Sequence, residues 1–174
     1  MALKFGGNLF ALRFVGRYID DPADAMNNLS ILETMTYTDQ HILKVVAEMG
    51  GIETATKALK KYSEESEGVA WKGCGLLRNV CGHSDDYNQK VLECGGITAL
   101  VQAMSHWPDS EQVQMCACIA LDRLASSSDE AVRKKIIDVG GLVALAQART
   151  KHQNDARVRI PADHSLVELV QQKT

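Results

Sequence analysis

Aromatic residues make up only 5% of this 174-residue chain, and prolines number three. No apolar run approaches the roughly 18 residues that a membrane-spanning helix needs. A scarcity of proline without a G-X-Y period excludes collagen, and a charged fraction of 24% beside 45% hydrophobic residues excludes disorder. There is no basic surplus either: 19 Lys and Arg against 22 Asp and Glu leave a formal charge of −3. That argues against a nucleic-acid or anionic-membrane binder, both of which need a basic face. Catalytic signatures are missing as well, with no G-x-S-x-G, no P-loop, no G-x-G-x-x-G after a strand and no H-E-x-x-H. No catalytic set, metal site or cofactor is therefore expected. A single domain of this length buries roughly 68–70% of its unfolded surface, enough to fold without a metal or disulfide.

The chemistry-bearing residues that are present read as structural. Cys74, Cys81, Cys94, Cys116 and Cys118 are odd in number and lie in apolar stretches, which suits small core residues of a cytoplasmic, reducing compartment. Cys116 and Cys118, two positions apart, point to different faces of a helix and cannot chelate together. The histidines, His41, His83, His106, His152 and His164, fall mostly at loops and helix ends, and Asp85-Asp86 reads as a capping pair. Lys57, Lys60, Lys61 and Arg133-Lys134-Lys135 are offset by Glu64, Glu65, Glu67, Asp129 and Glu130, as on solvated faces. Lys4, Arg13 and Arg17 precede the first acid, Asp20, a pattern that superficially suits a transit peptide. The repeat phase places that stretch inside a repeat unit instead. Asn28-Leu29-Ser30 matches the glycosylation sequon with no signal-like segment before it and is read as chance.

What the chain does have is a period. Gly-Gly doublets stand at Gly6-Gly7, Gly50-Gly51, Gly95-Gly96 and Gly140-Gly141, spaced 44, 45 and 45 residues apart. Each unit reads as three helices. A short one, such as Tyr87 to Glu93, ends at the glycines. A second carries Ile97, Leu100, Val101 and Met104 at helical spacing and stops before Pro108. A third runs from a polar cap such as Asp109 to about Ala125, with Ala117, Leu121, Leu124 and Ala125 on one face. Asp39, Asp85-Asp86 and Asp129 are the expected caps of the short helices, and no strand signal competes. The units fall at about 1–38, 39–83, 84–127 and 128–174, within a single domain.

Glu48-Met49-Gly50-Gly51-Ile52, Glu93-Cys94-Gly95-Gly96-Ile97, Ile97-Thr98-Ala99-Leu100-Val101 and Leu76-Leu77-Arg78-Asn79-Val80-Cys81 together resemble the armadillo-repeat family. The resemblance covers roughly residues 3–152 and implies an all-α, right-handed α-solenoid of about four repeats with truncated ends. Only Leu3 to Phe5 precede the first doublet, and all three phenylalanines, Phe5, Phe10 and Phe14, sit in that first unit. At the far end the polar run Gln153 to Arg159 and Pro161 interrupt the expected third helix. Ala162, Leu166, Leu169 and Val170 nevertheless keep the phase, so 161–172 reads as a shortened helix that caps the stack with a polar outer face.

The resemblance also implies use as a non-catalytic protein-interaction module, whose third helices line a concave groove for a peptide or protein segment. Asn79 best matches the family's groove asparagine, whose amide both donates and accepts. Helical spacing adds Gly75 and Trp71, with Met26, Ser30 and Thr34 one unit earlier and Met115, Ile119 and Arg123 one unit later. Only one of the three aligned positions is Asn, and Trp71 lies two turns from Asn79, which argues against a nuclear-localisation-signal receptor. Trp71 and Met115 are open between groove and core. A second reading is a structural or assembly subunit, docking on a copy of itself or on further repeats through Leu9, Phe10 and Phe14 of the truncated first unit.

Overall fold

The computed structural model describes residues 19–171, and among them ten helices and no strand are found. After α1 (Pro22–Thr38) the chain goes three times through one cycle of short, middle and long helix. The first cycle is α2 (Gln40–Glu48), α3 (Gly51–Tyr62) and α4 (Glu67–Val80). The second is α5 (Asp85–Cys94), α6 (Gly96–His106) and α7 (Glu111–Ala125), and the third α8 (Glu130–Asp138), α9 (Gly141–Lys151) and α10 (Ala156–Gln171). Leu9, Phe10 and Phe14, on which the assembly reading rests, lie outside the described residues. No helix among those described is long and apolar enough to cross a membrane.

The glycine doublet makes the corner between short and middle helix, and its two positions do different work. Gly50, Gly95 and Gly140 take left-handed backbone, with φ of +93°, +82° and +85°, which residues with a side chain rarely adopt. The second glycine answers to space: a Cβ at Gly51 would stand 2.8 Å from the Val46 carbonyl oxygen, and one at Gly141 2.6 Å from that of Ile136. Serines begin the long helices α4 and α7. Ser66 Oγ accepts from the Val69 amide and Ser110 Oγ from that of Val113, so α7 starts from Ser110 and not from Asp109. Asp39 and Asp129 cap α2 and α8 as expected, whereas Asp85 falls in the first turn of α5 because Ser84 takes the cap.

The last helix corrects the expectation of a shortened cap starting at Pro161. It begins at Ala156, with Asp155 Oδ1 accepting from the Arg157 amide at 2.9 Å, and Pro161 lies buried in its interior. The polar run misleads because Ala156, Arg157, Arg159 and Ile160 are the exposed side of the turn, while Val158 alone in it is fully buried.

The long helices α1, α4, α7 and α10 lie side by side, and α3, α6 and α9 pack behind them. Leu29, Leu76, Leu77, Leu121 and Leu124 of the long helices meet Ile52, Leu59, Ile97, Leu100 and Leu145 of the middle ones in one buried layer. Cys74, Cys81, Cys116 and Cys118 are part of that layer and Cys94 is half-buried; all five are free thiols. Burial pushes Cys81 and Cys118 up to about 12 and Cys116 to about 11, which makes them poor nucleophiles.

Candidate binding groove

Stacking the long helices one period apart aligns equivalent residues into rows across their exposed face. The first row is apolar: Met26 is 37% exposed, Trp71 36%, Met115 half-buried against the core, and Ile160, one period further on, 57%. Trp71 therefore faces solvent. Met26 leans on α4, where a Cβ on Gly68 would come within 2.5 Å of its sulfur. The second row holds Ser30, Gly75, Ile119 and His164, and the third Thr34, Asn79, Arg123 and Glu168.

The third row departs from expectation at its central residue. Asn79 is only 6% exposed, and its Nδ2 donates to the Glu33 carbonyl and the Thr36 hydroxyl, both at 3.0 Å. Its Oδ1 accepts from Nε and Nη2 of Arg78 at 3.2 Å. The amide is thus spent on α1 and on its own helix, and the expectation that it meets a peptide backbone is corrected. Arg123 is exposed and donates through Nη1 to the Arg78 carbonyl, tying α7 to α4. At the far end His164 Nδ1 lies 2.6 Å from Asp122 Oδ1, and Ser165 Oγ donates to the same oxygen. The hydrogen bond to Asp122 and its charge raise His164 above its ordinary value, against a smaller opposing effect of burial.

No protein-family model and no curated protein matches this sequence. Solved structures do. A designed armadillo repeat protein superposes with a TM-score of 0.78 at 20% identity, over 96% of this chain and 66% of its own. The fold is armadillo-like. A crystal structure of an engineered protein gives a TM-score of 0.78 at 24% identity, over 95% of this chain and 64% of its own. A second designed armadillo repeat protein, in complex with the peptide (KR)4, gives 0.75 at 20% identity, over 96% and 66%. This chain thus spans less than two thirds of the length of each of these.

Within the armadillo-like frame, the sequence reading named Arg123 but missed Glu33, Lys72 and Arg78, and it placed no residue of the fourth long helix on this face. Glu33 lies over Gly75, whose missing Cβ would stand 3.0–3.2 Å from the glutamate's Cγ, Oε1 and Cδ. Its carboxylate is gripped by Lys72 and Arg78. The signal was available, because Glu33 and Arg78 are opposite charges one period apart, and such positions are neighbours on stacked helices. Ile160, His164 and Glu168 follow from the same offset applied to Met115, Ile119 and Arg123. The face as a whole presents exposed apolar side chains, a clamped carboxylate and the exposed guanidinium of Arg123. Among the described residues no cluster of three or more His, Cys, Asp or Glu could hold a metal ion.

Proposed function

We propose that this chain is a non-catalytic binding scaffold that holds a segment of another protein along the face of α1, α4, α7 and α10. One observation carries the reading: Met26, Trp71, Met115 and Ile160 form an apolar row across the four long helices, with Trp71 and Ile160 open to solvent. Large apolar groups aligned at one per repeat are what a partner's side chains can use, and Trp is the residue type most enriched among binding hot spots. The armadillo-like fold is consistent with this use, since a designed protein of that shape is described as holding a peptide.

The test is a peptide display selection on the purified chain, followed by affinity measurement for the recovered sequences. Trp71→Ala and Ile160→Ala are each expected to weaken binding about tenfold or more, the loss of one anchor. Thermal stability should stay within about 1 kcal/mol of the parent, as for surface changes. Undiminished binding by both variants would place the site elsewhere.

A further inference from the structure

Between α1 and α4 the groove contains a carboxylate held by two cations. Oε1 of Glu33 accepts from Arg78 Nη2 at 3.1 Å, and Oε2 accepts from Lys72 Nζ at 3.3 Å. These side chains are 14–17% exposed, so the pair sits at the groove surface within reach of solvent. Aromatic walls flank the two cations: Lys72 Nζ lies 3.8 Å from the Trp71 ring centre, and the Arg78 guanidinium 5.8 Å from that of Tyr37. Gly75 forms the floor. Beside it lies a depression of about 380 Å³ lined by Arg78 and, one repeat further on, by Arg123, together with Tyr37, Asn79 and His83. The remaining acid there, Asp39, is occupied in capping α2. Lys72 and Arg78 thus face one carboxylate, and Arg123 lies beside Arg78 on the adjoining depression.

Two donors converging on one carboxylate from either side of a glycine floor make a carboxylate site, and its occupant is a flexible side chain of the neighbouring repeat. We propose that Lys72 and Arg78 recognise an acidic residue of a bound peptide, and that Glu33 is a built-in competitor which such a residue displaces. This rests on the groove reading above and gives it a ligand class: acidic segments with apolar neighbours. A tethered competitor acts at high effective concentration, so a lone carboxylate does not suffice. The ligand must also engage the Trp71–Met115 row and Arg123. Adjacent long helices lie about 8–10 Å apart and an extended chain rises about 3.3 Å per residue, which puts the acids for Arg78 and Arg123 two or three residues apart.

Fluorescence anisotropy at low ionic strength tests this with three labelled peptides of alternating sequence: Glu and Leu, Gln and Leu, and Lys and Leu. The wild-type chain should prefer the Glu peptide. Glu33→Gln should bind it about tenfold more tightly, the size of one charge-assisted contact, with no gain for the Gln peptide. Lys72→Gln added to that variant should abolish the gain. A folded Glu33→Gln variant without the gain overturns the proposal. If Glu33→Gln does not fold, Lys72→Gln and Arg123→Gln in the otherwise wild-type chain decide. Selective loss of the Glu peptide supports the site, and equal loss of all peptides or none overturns it. Equal binding of the three peptides that Trp71→Ala removes would overturn the acidic preference and leave the groove reading standing. No binding of any peptide by any of these proteins would overturn both.

Discussion

Asn79 shows how far residue identity and residue role can separate. Its type and its place near the end of a long helix match the groove asparagine that the armadillo resemblance implies, and the helical period puts it in line with Thr34 and Arg123. Where its amide points depends on Thr36 and on the Glu33 carbonyl, 43 and 46 residues away, and no local pattern carries that. The structure makes it an interhelical tie, so Asn79→Ala should cost about 2 kcal/mol, the penalty for leaving buried partners unsatisfied. A denaturant midpoint at unchanged slope reads this out; a loss under about 0.5 kcal/mol would return Asn79 to the surface class. Two glycines of α4 separate in the same way. A Cβ at Gly73 would stand 2.6 Å from Leu59 Cγ in the packed core, whereas at Gly75 it meets the movable Glu33 side chain. Replacing a helical glycine by alanine gains about 1 kcal/mol of propensity, and overpacking a core costs about 1–3. Gly75→Ala should therefore hold or raise the melting temperature while Gly73→Ala lowers it; the reverse order would mean that the core around Leu59 yields more easily than the groove.

At the scale of elements the sequence was legible wherever a backbone requirement repeats. The doublets mark three equivalent corners because both of their positions are constrained, one by conformation and the other by space. Helix starts were read one or two residues off where serine and aspartate compete for the cap, as at Asp109 and Ser110. The largest difference is the start of α10: the apolar residues after Pro161 keep the phase, but the polar run and the interior proline mask the helix from Ala156 to Ile160. Pro161 cannot donate to the Arg157 carbonyl and its ring crowds that turn. Pro161→Ala restores the donor at the expense of some buried ring contact, and should stabilise the chain by about 1 kcal/mol or more in the same denaturant assay; destabilisation would show that the ring's packing outweighs the missing bond. The Asp122–His164 contact joins α7 to α10 and adds a pH dependence. Because the folded value of His164 lies above its unfolded value of about 6.5, its contribution is fully present below that pH. It is lost as pH rises through the folded value. With the imidazole half exposed to solvent, the effect should stay under about 1 kcal/mol. Midpoints measured between about pH 6 and 8 should fall more steeply for the wild type than for His164→Ala, and parallel curves would remove the pair from the account.

For the whole molecule, the question is how a repeat face that no later helix among the described residues covers differs from the equivalent faces before it. In a solenoid each unit covers the one before it, and a face left uncovered needs polar groups. The repeat offset shows how this is met. Leu59 and Met104, 1% and 3% exposed in the middle helices, are followed one period later by Arg149. Cys74 and Cys118, fully buried in the long helices, are followed by Asp163. Arg149 pairs with Asp163, and Arg159 approaches the same carboxylate at 3.6 Å, so a small ionic network covers the face that earlier units bury. Exposed pairs of this kind contribute little to folding, about 0–1 kcal/mol each; their value lies in keeping that face, where Val143 and Val170 remain 61% and 56% exposed, from adhering to another molecule. Arg149→Met combined with Asp163→Ala would make the α9–α10 face resemble the equivalent faces of the earlier units. Folding stability should then change by less than about 1 kcal/mol, while the mass by light scattering climbs with protein concentration above that of the wild type. A double variant whose mass tracks the wild type at every concentration would show that charge at these two positions is not what keeps the α9–α10 face apart from other molecules, and the shape of that surface would have to do so alone.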